Sequence, residues 1–343
     1  MSDPKLNYRL EPQDEYTHPP VAALNYNESM YFNVFDHAKQ AGGWFRIGNR
    51  PNEHYAEITV CIYLPDGRIG FMFARPEIAN NDRMEAGGLK IDVVEPFKRL
   101  KVSYTGKVLL LANPHEMADP KAAWRSNPSL PCTVEIDYTG LSPMYGGEAV
   151  NADGSKLDID PEKSFAPAHY EQLCAGRGMI RVGDETLEID GYGLRDKSWG
   201  PRHWQAIDWY RWCPMSFGPD FGMMFTVGGA GKNARASGMV FSDGKYDMVN
   251  SCTIETDWDE NGYQRALTAV VGTEGGKTYT VEGKVLSLIP LRNRRTTPEG
   301  VELQTRITEG MTEYRCNGRV GYGMSEYLDQ IIDGQPSGRV AGF

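Results

Sequence analysis

No two cysteines in this sequence stand in a Cys-x-x-Cys arrangement, although six are present. Cys61, Cys132, Cys174, Cys213, Cys252 and Cys316 are widely scattered, several of them in apolar, strand-like runs. Free buried thiols are expected rather than zinc ligands or a disulfide framework. Long apolar runs are missing too: nothing approaches the roughly 20 residues needed to span a bilayer. The opening Met1-Ser2-Asp3-Pro4-Lys5 lacks the charged and apolar regions of a secretory signal, so a cytoplasmic location is expected. Excess positive charge is absent as well, the formal net charge being −10 over 343 residues. That balance speaks against a nucleic-acid groove and against docking on an anionic membrane. The sequence has no dinucleotide fingerprint, no nucleophile elbow and no His-Glu-x-x-His helix. Gly272 to Thr278 imitates a phosphate loop but is one residue short and runs into an apparent strand. The six histidines are too dispersed to specify a triad, and neither a cofactor nor a metal is expected.

What is abundant is glycine, 38 residues of it, set between short alternating segments. Ala56 to Leu64 places Ile58, Val60 and Ile62 on one face, and Pro65-Asp66-Gly67 then supplies a hairpin turn. Comparable segments recur at 44–47, 68–74, 89–94, 100–111 and 133–139, while only Glu116 to Trp124 has a weakly helical pattern. The first thirty residues are polar and proline-punctuated and are expected on the surface. Residues 150–167 are turn-rich and are expected to join two halves, 1–165 and 166–343. The second half continues with strands at 170–180, 186–194, 205–213, 221–227, 234–241, 251–258, 264–271, 277–288, 301–309 and 311–324. This spacing predicts an all-β protein of barrels or sandwiches.

One segment concentrates chemistry. Residues 191–204 read Gly-Tyr-Gly-Leu-Arg-Asp-Lys-Ser-Trp-Gly-Pro-Arg-His-Trp, and four of the seven tryptophans fall between Trp199 and Trp212. By strand parity Leu187, Ile189, Gly191, Gly193, Arg195, Lys197 and Trp199 share one side, marked as interior by the first two. The two glycines would leave space into which Arg195, Lys197 and Trp199 project. Desolvation and a neighbouring cation would lower the Lys197 pKa and make it a proton carrier. The same residues also suit a structural ion network of Arg195, Asp196 and Arg202, with Lys197 reaching water. His203 is a second acid–base candidate. His169 and Glu171, two apart on one strand face, are candidates for a polar patch; no third ligand follows at metal-binding spacing.

Arg195-Asp196-Lys197-Ser198-Trp199-Gly200-Pro201-Arg202 resembles the Asp-His-Ser-Trp-Gly-x-Arg segment of proteins related to bacterial carotenoid 1,2-hydratases. Gly318 to Glu326 is similar to that group's closing strand, which runs through glycines to a glutamate. The resemblance implies two lipocalin-like antiparallel β domains in tandem. It also implies cofactor-free hydratase or cyclase chemistry on greasy isoprenoid or polyketide molecules. Lys197 stands where that group has a histidine, while its tryptophan is kept as Trp199.

The expected function is therefore an acid–base enzyme, a hydratase, isomerase or cyclase, acting on a small hydrophobic molecule. Lys197, His203 and Glu171 are the expected catalytic groups, and Tyr192, Arg195, Trp199, Trp204 and His169 the expected binding groups. A carrier of a hydrophobic ligand would need the same pocket without the chemistry. The sequence does not fix an oligomeric state.

Overall fold

The computed structural model describes residues 7–158, 160–161, 164–230, 233–297 and 299–343. Ile159, Glu162 and Lys163, within the segment expected to join the halves, lie outside the described residues. All six cysteines are free, and Cys252 alone is only half-buried.

The expectation of an all-β chain holds, and its strands form two closed rings. The first contains Tyr26–Asp36, Ala41–Arg50, Tyr55–Tyr63, Ile69–Ala74, Arg99–Leu111, Ser129–Gly140, Ala168–Val182 and Glu185–Pro201. Each pairs antiparallel with the next, and the last returns to the first with Lys197 opposite Met30. The second ring runs through Trp209–Ser216, Phe221–Ala230, Asn233–Ser242, Lys245–Trp258, Gln264–Thr273, Thr278–Thr296, Glu302–Cys316 and Arg319–Ile332. It closes where Trp212 lies opposite Glu326.

The segment 150–167 thus does not divide the barrels. It leads into the last two strands of the first ring, which cannot close without them, and the crossing to the second ring comes between Pro201 and Trp209. The final hairpin also differs from expectation. It turns at Asn317 and Gly318, both with positive φ, rather than breaking near Gly310.

Alternation sends one face of each strand inward. Phe32, Val34, Phe45, Val60 and Ile136 fill the first barrel, and Met223, Phe225, Ala269, Val281 and Tyr314 fill the second. A third apolar layer joins the outsides, with Tyr31, Trp44 and Phe71 of one barrel against Trp212, Met224 and Met324 of the other. Burial of each large apolar side chain is worth about 1.5–3 kcal/mol, so this layer holds the barrels together. The strand Tyr26–Asp36 is buried along its whole length because Met30 and Phe32 face one layer and Tyr31 and Phe35 the other.

Residues 7–24 lie mostly at the surface, as expected, but Glu15 among them and residues 25–30 are buried. A 3-10 turn at Pro12–Glu15 carries Glu15 into the first barrel with no solvent exposure. There its carboxylate accepts both Arg195 Nη1 and Nη2, at 2.7 and 2.8 Å, and the Tyr170 hydroxyl at 2.7 Å. This plug closes the end of the interior that the parity of Arg195, Lys197 and Trp199 points toward.

Candidate active site

A cavity of about 940 Å³ opens between the barrels. Its apolar walls include Tyr31, Trp44 and Phe71 from the first ring, Phe165 from the segment before Ala168, Trp204 from the crossing segment, and Trp212 from the second ring. Size and lining suit a small, largely apolar molecule.

Two groups of titratable side chains meet this space. In the first ring Glu171 lies opposite Asp196 and His169 opposite Ser198 on adjacent strands. His169 Nε2 and Asp196 Oδ2 are 3.0 Å apart. Burial works against the imidazolium, yet the Asp196 carboxylate outweighs it and raises the His169 pKa. Glu171 is buried; its Oε1 accepts Trp212 Nε1 at 2.8 Å, and its Oε2 has no partner. Burial pushes this carboxyl up to about 7, with His169 opposing and Asp196 assisting. Donor atoms of His169, Glu171 and Asp196 lie within 4.8 Å of one another, close enough to take a cation. The third donor comes across the sheet, not along the chain, so sequence spacing could not reveal it.

The second group is a carboxyl pair. Glu309 and Glu326 face each other on the last two strands and both line the cavity. Burial raises the Glu309 pKa well above the usual carboxylate range, and the neighbouring Glu326 charge adds to this. Glu326 is raised as well, by burial first, and accepts a hydrogen bond from the Tyr210 hydroxyl. Two close carboxyls in a desolvated site cannot both ionise readily, so the pair retains a proton.

The expected site residues part company. His169 and Trp204 line the cavity, and Glu171 sits in the cluster at its wall. Lys197 does not line it. Its ammonium is buried in the plug, donating to Glu28 Oε1 at 2.6 Å and to the carbonyls of Asp14 and Tyr16 at 2.8 and 2.9 Å. Burial lowers its pKa as expected, but its neighbour is the Glu28 carboxylate, which acts in the opposite sense. Arg195 is committed to Glu15, and Trp199 stacks on His18 at 4.2 Å between ring centroids. Tyr192 packs edge-on to His37 outside the cavity. His203 lines a smaller adjoining hollow of about 400 Å³.

Nor do Gly191 and Gly193 clear room for a guest. A Cβ on either would fall 2.2 Å from Phe35 O or 2.1 Å from Asn33 O, so they permit close approach of the neighbouring strand. Sequence reasoning missed Tyr210, Glu309 and the role of Asp196. Glu326 carried a signal, as the glutamate ending the glycine-rich closing strand.

Residues 11–331 match the family described as Domain of unknown function (DUF7064). The chain belongs to that family. No curated protein matches this DUF7064 chain in sequence. Its fold is similar to several solved structures. CghA in complex with Sch210972 aligns with TM-score 0.55 and 10% identity, covering 89% of this chain and 88% of that one. A putative AttH from Nitrosomonas europaea aligns with TM-score 0.53 and 11% identity over 94% and 97% of the two chains. Kievitone hydratase from Nectria haematococca gives 0.51 and 8% over 91% and 93%. At such identities the likeness establishes the tandem lipocalin-like fold alone. Among the described residues no helix is long and apolar enough to cross a membrane.

Proposed function

We propose that this DUF7064 protein is an enzyme that moves protons on a small hydrophobic molecule held between its barrels. The reaction class is hydration or dehydration, isomerisation or cyclisation. The observation that carries the reading is the Glu309–Glu326 carboxyl pair, held toward its protonated form in a cavity walled by aromatic rings. One member gives a proton to the substrate while the other accepts one, with Tyr210 joined to Glu326 as a relay. For a hydration, the proton goes to one alkene carbon and water adds to its neighbour, losing its own proton to the carboxylate. The His169–Asp196 dyad on the opposite wall is a second proton-handling group. The aromatic faces of Trp204 and Trp212 would stabilise developing positive charge. The resemblance of Arg195 to Arg202 to the carotenoid hydratases, and the hydratase named among the similar folds, favour hydration within this class.

The test is turnover. Purified protein is incubated with terpenoid, polyketide and aromatic alkenes in deuterated water, and products are followed by mass spectrometry. Deuterium incorporation that is lost in Glu326→Gln while folding is retained supports the reading. Tight binding of a ligand that is never altered would make the protein a carrier instead.

A further inference from the structure

The cavity carries a charge pattern that acid–base chemistry does not use. The chain is acidic overall, yet six arginines line this one space and no lysine does. Arg75, Arg235, Arg292 and Arg294 are exposed along its open side. Arg46 and Arg202 lie deeper. Arg202 lies in the corner of two edge-to-face rings, its guanidinium carbon 4.4 Å from the Phe165 centroid and 4.5 Å from that of Trp204. It forms no ion pair among the described residues. Its Nη1 donates weakly to Ser198 Oγ at 3.3 Å, and its Nε is buried without a partner. Arg46 shares the Trp204 ring at 5.7 Å, and one of its terminal nitrogens is also buried without a partner. Its nearest carboxylate oxygen, on Glu57, is 3.7 Å away.

Two guanidinium groups on one aromatic shelf repel each other. Burial, then Arg46, lowers the Arg202 pKa to about 10. Unsatisfied buried donors and like charges are costly unless something negative completes them. Of the cavity's carboxylates, Glu57 pairs with Arg75 at 2.8 Å and more loosely with Arg46 at 3.7 Å, and among the described residues none pairs with Arg202. Glu309 and Glu326 are held toward neutrality, and Asp196 is paired with His169. Planar guanidinium forks match oxyanions, whereas a site for an uncharged hydrocarbon needs none.

We propose that the ligand is amphiphilic, an apolar body ending in an oxyanion head that docks on Arg46 and Arg202. The inference rests on the cavity described under the proposed function and adds the head group. The exposed arginines draw the head toward the opening, the shelf holds it, and the apolar body lies along the aromatic wall near Glu309 and Glu326.

Two fluorescent probes separate the ideas. 8-Anilinonaphthalene-1-sulfonate is apolar and anionic; N-phenyl-1-naphthylamine is its neutral relative. The sulfonate should bind at least tenfold more tightly than the amine. Arg202→Gln and Arg46→Gln should each remove about tenfold of that preference and leave the neutral probe within about twofold. Melting temperatures and the neutral probe report whether each variant is folded. Competition with dodecanoate, dodecyl phosphate and dodecanol then identifies the head, and either anion displacing probe tenfold better than the alcohol supports the proposal. Equal binding of both probes, unaffected by either variant, would overturn the oxyanion head while leaving the apolar cavity intact. Binding of neither probe would remove the cavity reading itself.

Discussion

The Lys197 ammonium lies 2.6 Å from the Glu28 carboxylate, and neither side chain has any exposure to solvent. Removing the lysine strips the buried Glu28 carboxylate of its ammonium partner and leaves only the His18, Tyr26 and Asn81 side chains around it. Lys197→Ala should therefore destabilise the fold by about 3–5 kcal/mol in urea denaturation. The double variant Lys197→Met with Glu28→Gln should recover part of that. Full stability with lost turnover would instead return Lys197 to the chemistry.

The same pair gives the fold an acid limit. Burial opposes the Glu28 charge, but His18 and Lys197 outweigh it and depress its folded pKa. Its stabilising contribution is present above the unfolded carboxylate pKa and is lost as pH falls through the folded value. The depressed Lys197 pKa acts in a separate window just below the unfolded lysine value, where the unfolded chain takes up the proton more readily, and adds nothing to the acid limit. Thermal melts should fall steeply on acidification, and less steeply in the double variant.

Glu171 predicts the opposite slope. Its folded pKa of about 7 lies above its unfolded value, so ionisation between those limits is resisted by the fold. Glu171→Gln keeps an acceptor for Trp212 and removes that cost. It should be about 3 kcal/mol more stable than the parent near pH 8 and about equal to it near pH 4. Equal stability at both pH values would show that the carboxyl is not desolvated.

For the carboxyl pair, Glu309→Gln and Glu326→Gln should each lower turnover at least about 100-fold with little change in KM. Tyr210→Phe should be milder, since it removes the relay and leaves the acid. Loss of affinity without loss of kcat would make the pair a binding feature.

Trp204 forms the shelf under Arg202 and meets Phe165 edge to face, at 5.6 Å between ring centroids. Trp204→Ala should weaken ligand binding by about tenfold or more with a small change in melting temperature, because the ring is only half-buried. An unchanged dissociation constant would place the ligand elsewhere.

How much of this was readable from the residues differs element by element. Strands with one polar face, such as Ser129–Gly140, declare themselves by alternation. Tyr26–Asp36 does not, because both faces are covered and its polar Asn27, Glu28 and Asn33 are buried too. The Asn317-Gly318 turn is legible as a strong hairpin dipeptide. Parity correctly put Arg195, Lys197 and Trp199 on the side of Leu187 and Ile189. What lies opposite them depends on Glu15 and Glu28, about 170 to 180 positions away in the chain. His169, Glu171 and Trp204 stood out as residue types in a rich region. The Glu309–Glu326 pair exists only through strand register, which no local pattern specifies.

The ring that begins at Tyr26 is completed by a strand ending at Pro201. On the ribosome its first strand therefore waits, edge open, until nearly all of the first barrel's sequence has emerged, and the Glu15 plug cannot seat before Arg195 does. The nascent half-barrel must be shielded from pairing with other chains over that interval, so poor recovery after refolding from denaturant is the expected handling property of this protein.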